Sequence, residues 1–322
     1  MRYWTIAIII CGVTIISYAA LVYTSMETLT VDNAYLCQYI RKKINIAQSL
    51  PQPKLIILAG SNAYAGISAK ILTQELQIPT FNFGLHAAFS PHFLFYLAQQ
   101  VLTAGDVVLL PLEYSYYHSD SYNDLSAAII FGCGKKYVFH APWREQITIL
   151  FIQPLQRIIA SWLANKTADF LAHEQPTFGS YGDATYNQEA NITPAMRQSV
   201  ERQIVGVEFQ PHSDGIKAIS EFLQWCQRHH VQVLASWPNI PVRPIYADAY
   251  VQNNLAKIRE FYVNHHIPVI GEPNNAMFDL NYFYDTPYHL HQRGVRERTY
   301  RLLPLLKVAM TQIGIIHSKT TD

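Results

Sequence analysis

The amino-acid sequence predicts a doubly wound α/β fold, with a parallel sheet covered by helices on both faces and one apolar helix before it. Short apolar runs alternate with helix-like segments along most of the chain, which is the pattern of parallel strands joined by crossover helices. Half of the 322 residues are hydrophobic and only 15% are charged, which excludes a mainly disordered chain. The formal net charge is +1 and there is no basic block, so we expect no nucleic-acid partner.

The N-terminal segment predicts a membrane anchor. Residues 4–24 contain no Asp, Glu, Lys, Arg or His, and a helix of this length spans roughly 30 Å, the thickness of a bilayer core. Arg2 precedes the run and Glu27 follows it, so the positive-inside rule favours a cytoplasmic N-terminus and an extracytoplasmic body. A cleaved signal peptide and a buried helix of a soluble protein are the alternatives. We expect a single-pass protein of the inner or plasma membrane whose C-terminal domain is periplasmic, with the lipid bilayer around residues 4–24.

The chain divides into an anchor and one main domain. We expect the anchor at 1–25, a juxtamembrane linker or helix at 26–53, and the domain at 54–315. A polar stretch with weak periodicity predicts an insertion around 135–213. Four cysteines are too few for a disulfide scaffold in a chain of this length. The sequence leaves open whether any two of three distant thiols pair: Cys37, Cys133 and Cys226.

The predicted elements follow one another in a regular order. Each predicted strand is a short apolar run, and each predicted helix has a helical period or begins at a capping residue such as Ser90. The strands are expected at 54–58, 80–84, 106–112, 231–237 and 267–270. The helices are expected at 67–76, 92–103, 143–163 with a kink at Pro154, 213–230, 247–265 and 295–311.

Three of these strands end in polar residues that can meet at one edge of the sheet. In open parallel sheets, ligands bind at the carboxyl ends of the strands. Ser61 follows the first strand beside a glycine, at the start of a helix, where its hydroxyl is exposed and nearby N–H groups can stabilise an oxyanion. The alternative is that Ser61 only caps this helix. We expect substrate contacts from the ends of the other two strands: Asn82, Glu113 and Tyr114.

Four motifs together resemble the SGNH/GDSL hydrolase superfamily. They are AGSNAYAG (59–66), FNFGLHAA (81–88), LLPLEYSYY (109–117) and FYDTPYHLHQRG (283–294). The resemblance covers about residues 54–315. Within the superfamily, the chain is most similar to the membrane-anchored, extracytoplasmic SGNH-like proteins linked to polysaccharide or cell-wall acylation.

The resemblance implies a flavodoxin-like SGNH fold and a catalytic triad. Ser61 would be the nucleophile, His289 its general base and Asp285 the group that orients the imidazole. The oxyanion hole would use the backbone N–H groups of Ser61 and Gly84, with Asn62 as a candidate third donor. A serine hydroxyl is a weak nucleophile until a base takes its proton, and that base needs a partner that fixes its tautomer.

The chain departs from the family pattern in three places. The usual Gly-Asp-Ser is Gly60-Ser61-Asn62 here, and the Gly-x-Asn-Asp block that supplies an oxyanion donor is absent. Between Asp285 and His289 the spacing is four residues rather than three, a change that a helical turn would tolerate because both spacings share a face. Glu113 has a structural alternative, in which it bonds the Ser61 turn.

The sequence therefore predicts a serine esterase or O-acyltransferase that acts on an ester of a carbohydrate or cell-envelope polymer. We expect no cofactor and no metal, because no HExxH or Cys/His ligand pattern is present. Transfer would require a donor, and a multi-spanning membrane protein is the expected source. His86 and His118 are further candidates for substrate contact. The alternative is a catalytically weak or inactive SGNH-like protein that binds glycan or scaffolds an envelope assembly.

Overall fold

The computed structural model describes residues 2–30, 33–86, 89–118, 124–153, 155–163 and 177–316. Over these residues the protein is α/β, with a four-stranded parallel sheet and twelve α-helices. The chain forms two compact units. Unit 1 combines Met1–Lys42 with Tyr122–Gln175, and unit 2 combines Lys43–Ser121 with Pro176–Asp322.

The helices of unit 1 include the predicted anchor. They are α1 (Arg2–Ser25), the first part of α2 (Ala34–Ser49), α6 (Asp124–Cys133), α7 (Trp143–Phe151) and α8 (Leu155–Leu163), with a 3-10 helix at Lys135–Phe139. A disulfide joins Cys37 of α2 to Cys133 of α6, so one of the pairings that the sequence left open is present. The segment expected as one kinked helix forms α7 and α8; Pro154 lies outside the described residues.

Helix α1 is long and apolar enough to cross a membrane. Only 6% of its apolar 18-residue window is buried, whereas the core helix of a soluble protein is mostly buried; an N-terminal signal sequence has the same length and composition. The exposed surface of α1 is apolar from Tyr3 to Ile16. Such a surface is costly in water and favourable in hydrocarbon.

The central sheet of unit 2 has the order β2-β1-β3-β4, with every neighbouring pair parallel. Its strands are β1 (Leu55–Ile57), β2 (Thr80–Asn82), β3 (Val107–Leu110) and β4 (Gln232–Ala235). Nearly all their side chains are buried, as expected for strands covered on both faces. The four predicted strands are confirmed, each shorter than expected. The fifth, expected at 267–270, is reduced to a single parallel bridge between Val269 and Ala235.

Helices connect these strands and complete unit 2. They are α3 (Ser61–Tyr64), α4 (Ala69–Leu76), α5 (Pro91–Gln99), α9 (Pro194–Arg202), α10 (Asp214–Arg228), α11 (Ala249–Asn264) and α12 (Gln292–Gln312). Two short parallel strands, β5 (Ile240–Pro241) and β6 (Met277–Phe278), form a second sheet. Helices α4, α5 and α10 begin at serine caps whose side chains accept a backbone N–H: Ser68, Ser90 and Ser213.

A buried ion pair fixes β1 beside β3 at their amino ends. Lys54 Nζ lies 2.6 Å from Asp106 Oδ2, and both side chains are almost fully buried. Asp106 also accepts hydrogen bonds from the backbone N–H groups of Lys54 and Thr103. These bonds satisfy a carboxylate that would otherwise be expensive to bury. The ion pair therefore helps to fix the register of the two strands, whose carboxyl ends lead to Ser61 and Glu113.

Candidate active site

Ser61 begins the short helix α3 four residues after β1 and is half-buried. A four-residue helix leaves its first N–H groups without partners inside the helix. Among the described residues, the N–H of Ser61 has no hydrogen-bond partner. The predicted arrangement of an accessible hydroxyl beside a free backbone donor is therefore present at this turn.

The carboxylate of Glu113 binds the backbone of the turn that contains Ser61. Its two oxygens accept hydrogen bonds from the N–H groups of Gly60 (3.0 Å) and Asn62 (2.9 Å), on either side of the serine. Glu113 is fully buried three residues beyond β3. Contact between its side chain and a substrate is therefore not supported, and the structural alternative for Glu113 is confirmed.

His289 and Asp285 form the second half of the predicted triad. His289 Nδ1 lies 2.7 Å from Asp285 Oδ1, and both side chains are partly exposed. The two residues do not share a helical turn. They lie in a loop closed by an antiparallel bridge between Phe283 and Leu290. Next to this bridge, the His289 carbonyl accepts the N–H of Tyr284. The loop closure, rather than helical periodicity, brings the imidazole to the carboxylate.

Ser61 and His289 line one open cleft of about 580 Å³. Its walls also include Ser115, the segment 203–206 and the loop 286–288. Within the part of the chain that the structure describes, no hydrogen bond joins Ser61 to His289. Nucleophile and base hydrogen bonds are often long before substrate binds. Two residues of the predicted triad, Ser61 and His289, thus line the cleft, and the third, Asp285, is hydrogen-bonded to the His289 ring.

The predicted oxyanion donor at Gly84 is engaged within the protein. Its N–H donates to Asn82 Oδ1 at 3.0 Å. The Asn82 amide in turn donates to the carbonyls of Ala63 and Ile67, which connects the loop after β2 to the α3–α4 segment. The Asn82 side chain is fully buried. A substrate contact from the Asn82 side chain is therefore not supported. For Gly84 to stabilise an oxyanion, its N–H would have to exchange the Asn82 acceptor for the substrate.

Asn62 lies in a buried polar network rather than in the cleft. Its side-chain amide donates to the Pro111 carbonyl at 2.8 Å, and its backbone carbonyl accepts Arg298 Nη1 at 3.0 Å. The same guanidinium donates to Asn239 Oδ1 and to the Trp237 carbonyl. Burial lowers the pKa of Arg298 to about 9, while Glu113 acts in the opposite direction. The Asn62 side chain is thus not placed as an oxyanion donor.

Tyr114 is buried beneath the loop that carries His289. Its backbone N–H donates to the Tyr288 hydroxyl at 3.2 Å, and its own side chain is 1% exposed. Burial raises the pKa of Tyr288, and the nearby Glu113 carboxylate raises it further. Tyr114 therefore supports the loop that carries His289, and a substrate contact through its side chain is not supported.

Two charged residues beside the β2 loop were not identified from the sequence: Lys43, which is buried, and Asp183, which is half-buried. Lys43 Nζ donates to the carbonyls of Asn82 (2.9 Å) and Gly84 (2.7 Å), and burial lowers the pKa of Lys43 far below its ordinary value. Asp183 accepts the N–H groups of Ala69 and Lys70 at the start of α4. Burial raises the pKa of Asp183 although these bonds lower it. No local signal distinguished either residue from a solvated surface charge.

His86 and His118 both line the cleft, as expected for candidate substrate contacts. Partial burial lowers the pKa of His86, and the neighbouring His289 ring lowers it further. The cleft therefore favours neutral His86 near neutral pH. Among the described residues, no group of three or more His, Cys, Asp or Glu side chains is arranged to hold a metal ion.

Comparison with known proteins leaves the family open. No protein-family model matches the chain. No curated protein matches its sequence. The functional argument therefore depends on the geometry around Ser61 and His289.

Proposed function

We propose that the protein is a membrane-anchored serine esterase or O-acyltransferase of the SGNH-like type, with Ser61 as its nucleophile. One observation carries the proposal: Ser61 and His289 line the same cleft, and Asp285 is hydrogen-bonded to the His289 ring. A carboxylate bonded to Nδ1 keeps the proton on that nitrogen, so Nε2 is available as the base.

The reaction would proceed through an acyl-enzyme. Ser61 Oγ attacks the ester carbonyl while His289 Nε2 takes the hydroxyl proton, and the tetrahedral oxyanion accepts the free N–H of Ser61. Collapse breaks the bond to the alkoxide, which leaves as an alcohol after taking the proton back from His289. Water or a carbohydrate hydroxyl then loses a proton to His289 and attacks the acyl group. This second step releases the acid or the transferred ester and restores the serine.

The topology of unit 2 supports a doubly wound, flavodoxin-like arrangement. The order β2-β1-β3-β4, continued at Val269 by the bridge to Ala235, matches the order 2-1-3-4-5 of such sheets. Their ligands bind at the carboxyl ends of the strands, beside the point where strand order reverses. Ser61 follows the carboxyl end of β1, the strand from which the order runs both ways.

Two features support an extracytoplasmic location. Helix α1 has the length and the exposed apolar surface of a membrane span. The Cys37–Cys133 disulfide is typical of an oxidising compartment such as the periplasm. A reporter fused after Asp322 tests the orientation, because periplasmic activity is expected and a cytoplasmic signal would contradict it.

The open cleft favours an ester on a polymer over a small enclosed substrate. Ligand sites for small molecules are concave and bury most of the ligand, whereas this cleft is open to solvent. We therefore propose a carbohydrate or cell-envelope polymer as the acyl donor or acceptor. If the reaction is a transfer, a separate multi-spanning membrane protein would supply the acyl group.

Labelling with a fluorophosphonate probe tests the proposal directly. The wild type should be labelled, Ser61→Ala should not, and Asp285→Asn should slow labelling by about 10²–10⁴-fold because the histidine loses its fixed tautomer. Ser115→Ala is the matched control, since Ser115 lines the same cleft and is half-buried. Labelling that survives in Ser61→Ala but disappears in Ser115→Ala would overturn the assignment.

A binding protein without catalytic activity is the second candidate. The bonds that occupy Gly84 N–H and the Asn62 amide leave Ser61 N–H as the free member of the predicted oxyanion hole. A folded wild type that is not labelled, yet retains a glycan oligomer in an equilibrium binding assay, would favour this candidate.

A further inference from the structure

Two helices of unit 1 expose most of their large apolar side chains. Their buried residues are Glu145 and Ile149 in α7 and Ile158 and Ser161 in α8. Large apolar side chains, between 37% and 73% exposed, line the opposite side: Trp143, Ile147, Phe151, Ile152, Leu155, Ile159, Trp162 and Leu163. A helix on a water-soluble surface shows the reverse pattern. This apolar face is therefore an interaction surface.

The apolar face continues the surface of α1. Tyr18 of α1 stacks on Phe151 of α7 and donates its hydroxyl to the Gln153 carbonyl at 2.8 Å. One helix further on, Trp162 Nε1 donates to Ser25 Oγ at 3.1 Å. Helices α7 and α8 thus pack against the last two turns of the predicted membrane span.

The length of α1 places α7 and α8 at the level of the bilayer. At 1.5 Å per residue, the exposed stretch 3–16 supplies only about 21 Å of helix, whereas a hydrocarbon core is roughly 30 Å thick. Residues 17–22 must supply the remaining 9 Å or so. That stretch contains Tyr18, which contacts α7.

The residue types also fit an interfacial position. Tryptophan, the residue type at positions 143 and 162, is enriched where the hydrocarbon core of a bilayer meets the headgroups. Arg144, next to Trp143, can extend its charged end toward phosphates while its stem stays in the apolar layer. An amphipathic helix with this composition lies in the plane of the membrane surface.

We propose that the apolar face of α7 and α8 is a second membrane-binding element, embedded in the leaflet where α1 ends. Its occupant is lipid. Unit 1 would then be held by one spanning helix and two helices that lie at the interface. This inference depends on α1 spanning the membrane and is independent of catalysis at Ser61.

Tryptophan quenching by doxyl-labelled lipids tests the proposal. The full chain carrying Trp4→Phe is reconstituted into vesicles of phosphatidylethanolamine and phosphatidylglycerol, with the doxyl group near the headgroup or near the methyl end of the acyl chain. Emission should be quenched most strongly by the headgroup-proximal label. The quenching should be largely lost in Trp4→Phe/Trp143→Phe/Trp162→Phe. Quenching that is equal in the two variants, or absent from both, would overturn the proposal. The same result is expected if another protein, rather than lipid, covers the face.

Three further variants guard against misfolding and against failure of the span. Because Trp162 bonds Ser25, the variants that lack only Trp143 or only Trp162 should each keep part of the quenching. The variant Trp143→Phe/Trp162→Phe retains Trp4, and its difference in quenching from Trp4→Phe/Trp143→Phe/Trp162→Phe reports α1, because Trp225 and Trp237 are present in both. Unquenched Trp4 would show that α1 does not span the bilayer and would overturn the proposal as well.

Discussion

Glu113 Oε1 accepts the N–H of Asn62 at 2.9 Å, and the other oxygen of the same carboxylate accepts the N–H of Gly60 at 3.0 Å. One buried acid from the end of β3 thus binds the backbone N–H groups of the residues on both sides of Ser61. Local interactions stabilise this turn little, because α3 has only four residues and no side-chain cap. The position of the candidate nucleophile is therefore set by a strand distant in sequence.

Replacing Glu113 by Gln should destabilise the protein and slow labelling of Ser61. The amide NH₂ would face one of two backbone N–H donors, leaving that donor without an acceptor at a cost of about 1–3 kcal/mol. It would also remove the negative charge that opposes the lowering of the Arg298 pKa. Urea denaturation measures the loss, with Glu189→Gln at an exposed position as control. Unchanged stability would contradict the role assigned to Glu113.

Replacing Gly84 by Ala should displace α3. A Cβ at this position would lie 2.8 Å from Tyr64 Cα, a backbone atom that cannot rotate away. Overpacking of this kind costs about 1–3 kcal/mol, and the displaced turn should also reduce fluorophosphonate labelling. Gly179→Ala is the matched control, because its nearest neighbour would be Thr185 Cγ2 at 3.9 Å. Equal labelling rates in the two variants would argue against close packing of Gly84 on α3.

Removing the Cys37–Cys133 disulfide should destabilise unit 1. The bridge closes a loop with a sequence separation of 96, and bridges over loops of this length contribute about 2–5 kcal/mol. The double variant Cys37→Ser/Cys133→Ser should unfold at lower temperature and lose the mobility shift between reduced and non-reduced gels. Cys11→Ser, at an exposed free thiol, should keep the shift. A wild type without any shift would show that the bridge does not form.

Lowering the pH should weaken unit 2 through His86. The folded protein lowers the pKa of His86 below its ordinary value of about 6.5. The unfolded chain therefore binds the proton more readily, and the free energy of unfolding falls as the pH drops through about 6.5. His86→Gln should remove this part of the pH dependence, whereas His212→Gln, at an exposed position, should not. A pH dependence identical in all three proteins would contradict the prediction.

The sequence predicted what depends on local pattern and missed what depends on tertiary packing. Apolar runs were sufficient to find β1 to β4, and the position of Ser61 after β1 followed from them. The Asp285–His289 pairing was predicted, yet its cause is a loop closed at Phe283 and Leu290, which no helical spacing describes.

The supporting charges were not predictable because nothing near them in sequence marks them. Arg298 lies on an amphipathic helix among other basic residues, and only the fold places its guanidinium against the Asn62 carbonyl. Lys43 belongs to an Arg-Lys-Lys run that reads as solvated surface. The same limit explains why Asn82 and Tyr114 were assigned to substrate: their position at strand ends was correct, but their burial was not visible.

The division of the chain into two units has a consequence for biosynthesis. Unit 1 takes its helices from both sides of the segment Lys43–Ser121. Because synthesis begins at the N-terminus, α1 leaves the ribosome first. Helices α7 and α8 follow only after three strands of the other unit have been made. The apolar surfaces of the early segment therefore remain uncovered during elongation, the period in which nascent chains aggregate most readily. Early insertion of α1 into the bilayer would shield that surface until the later helices arrive.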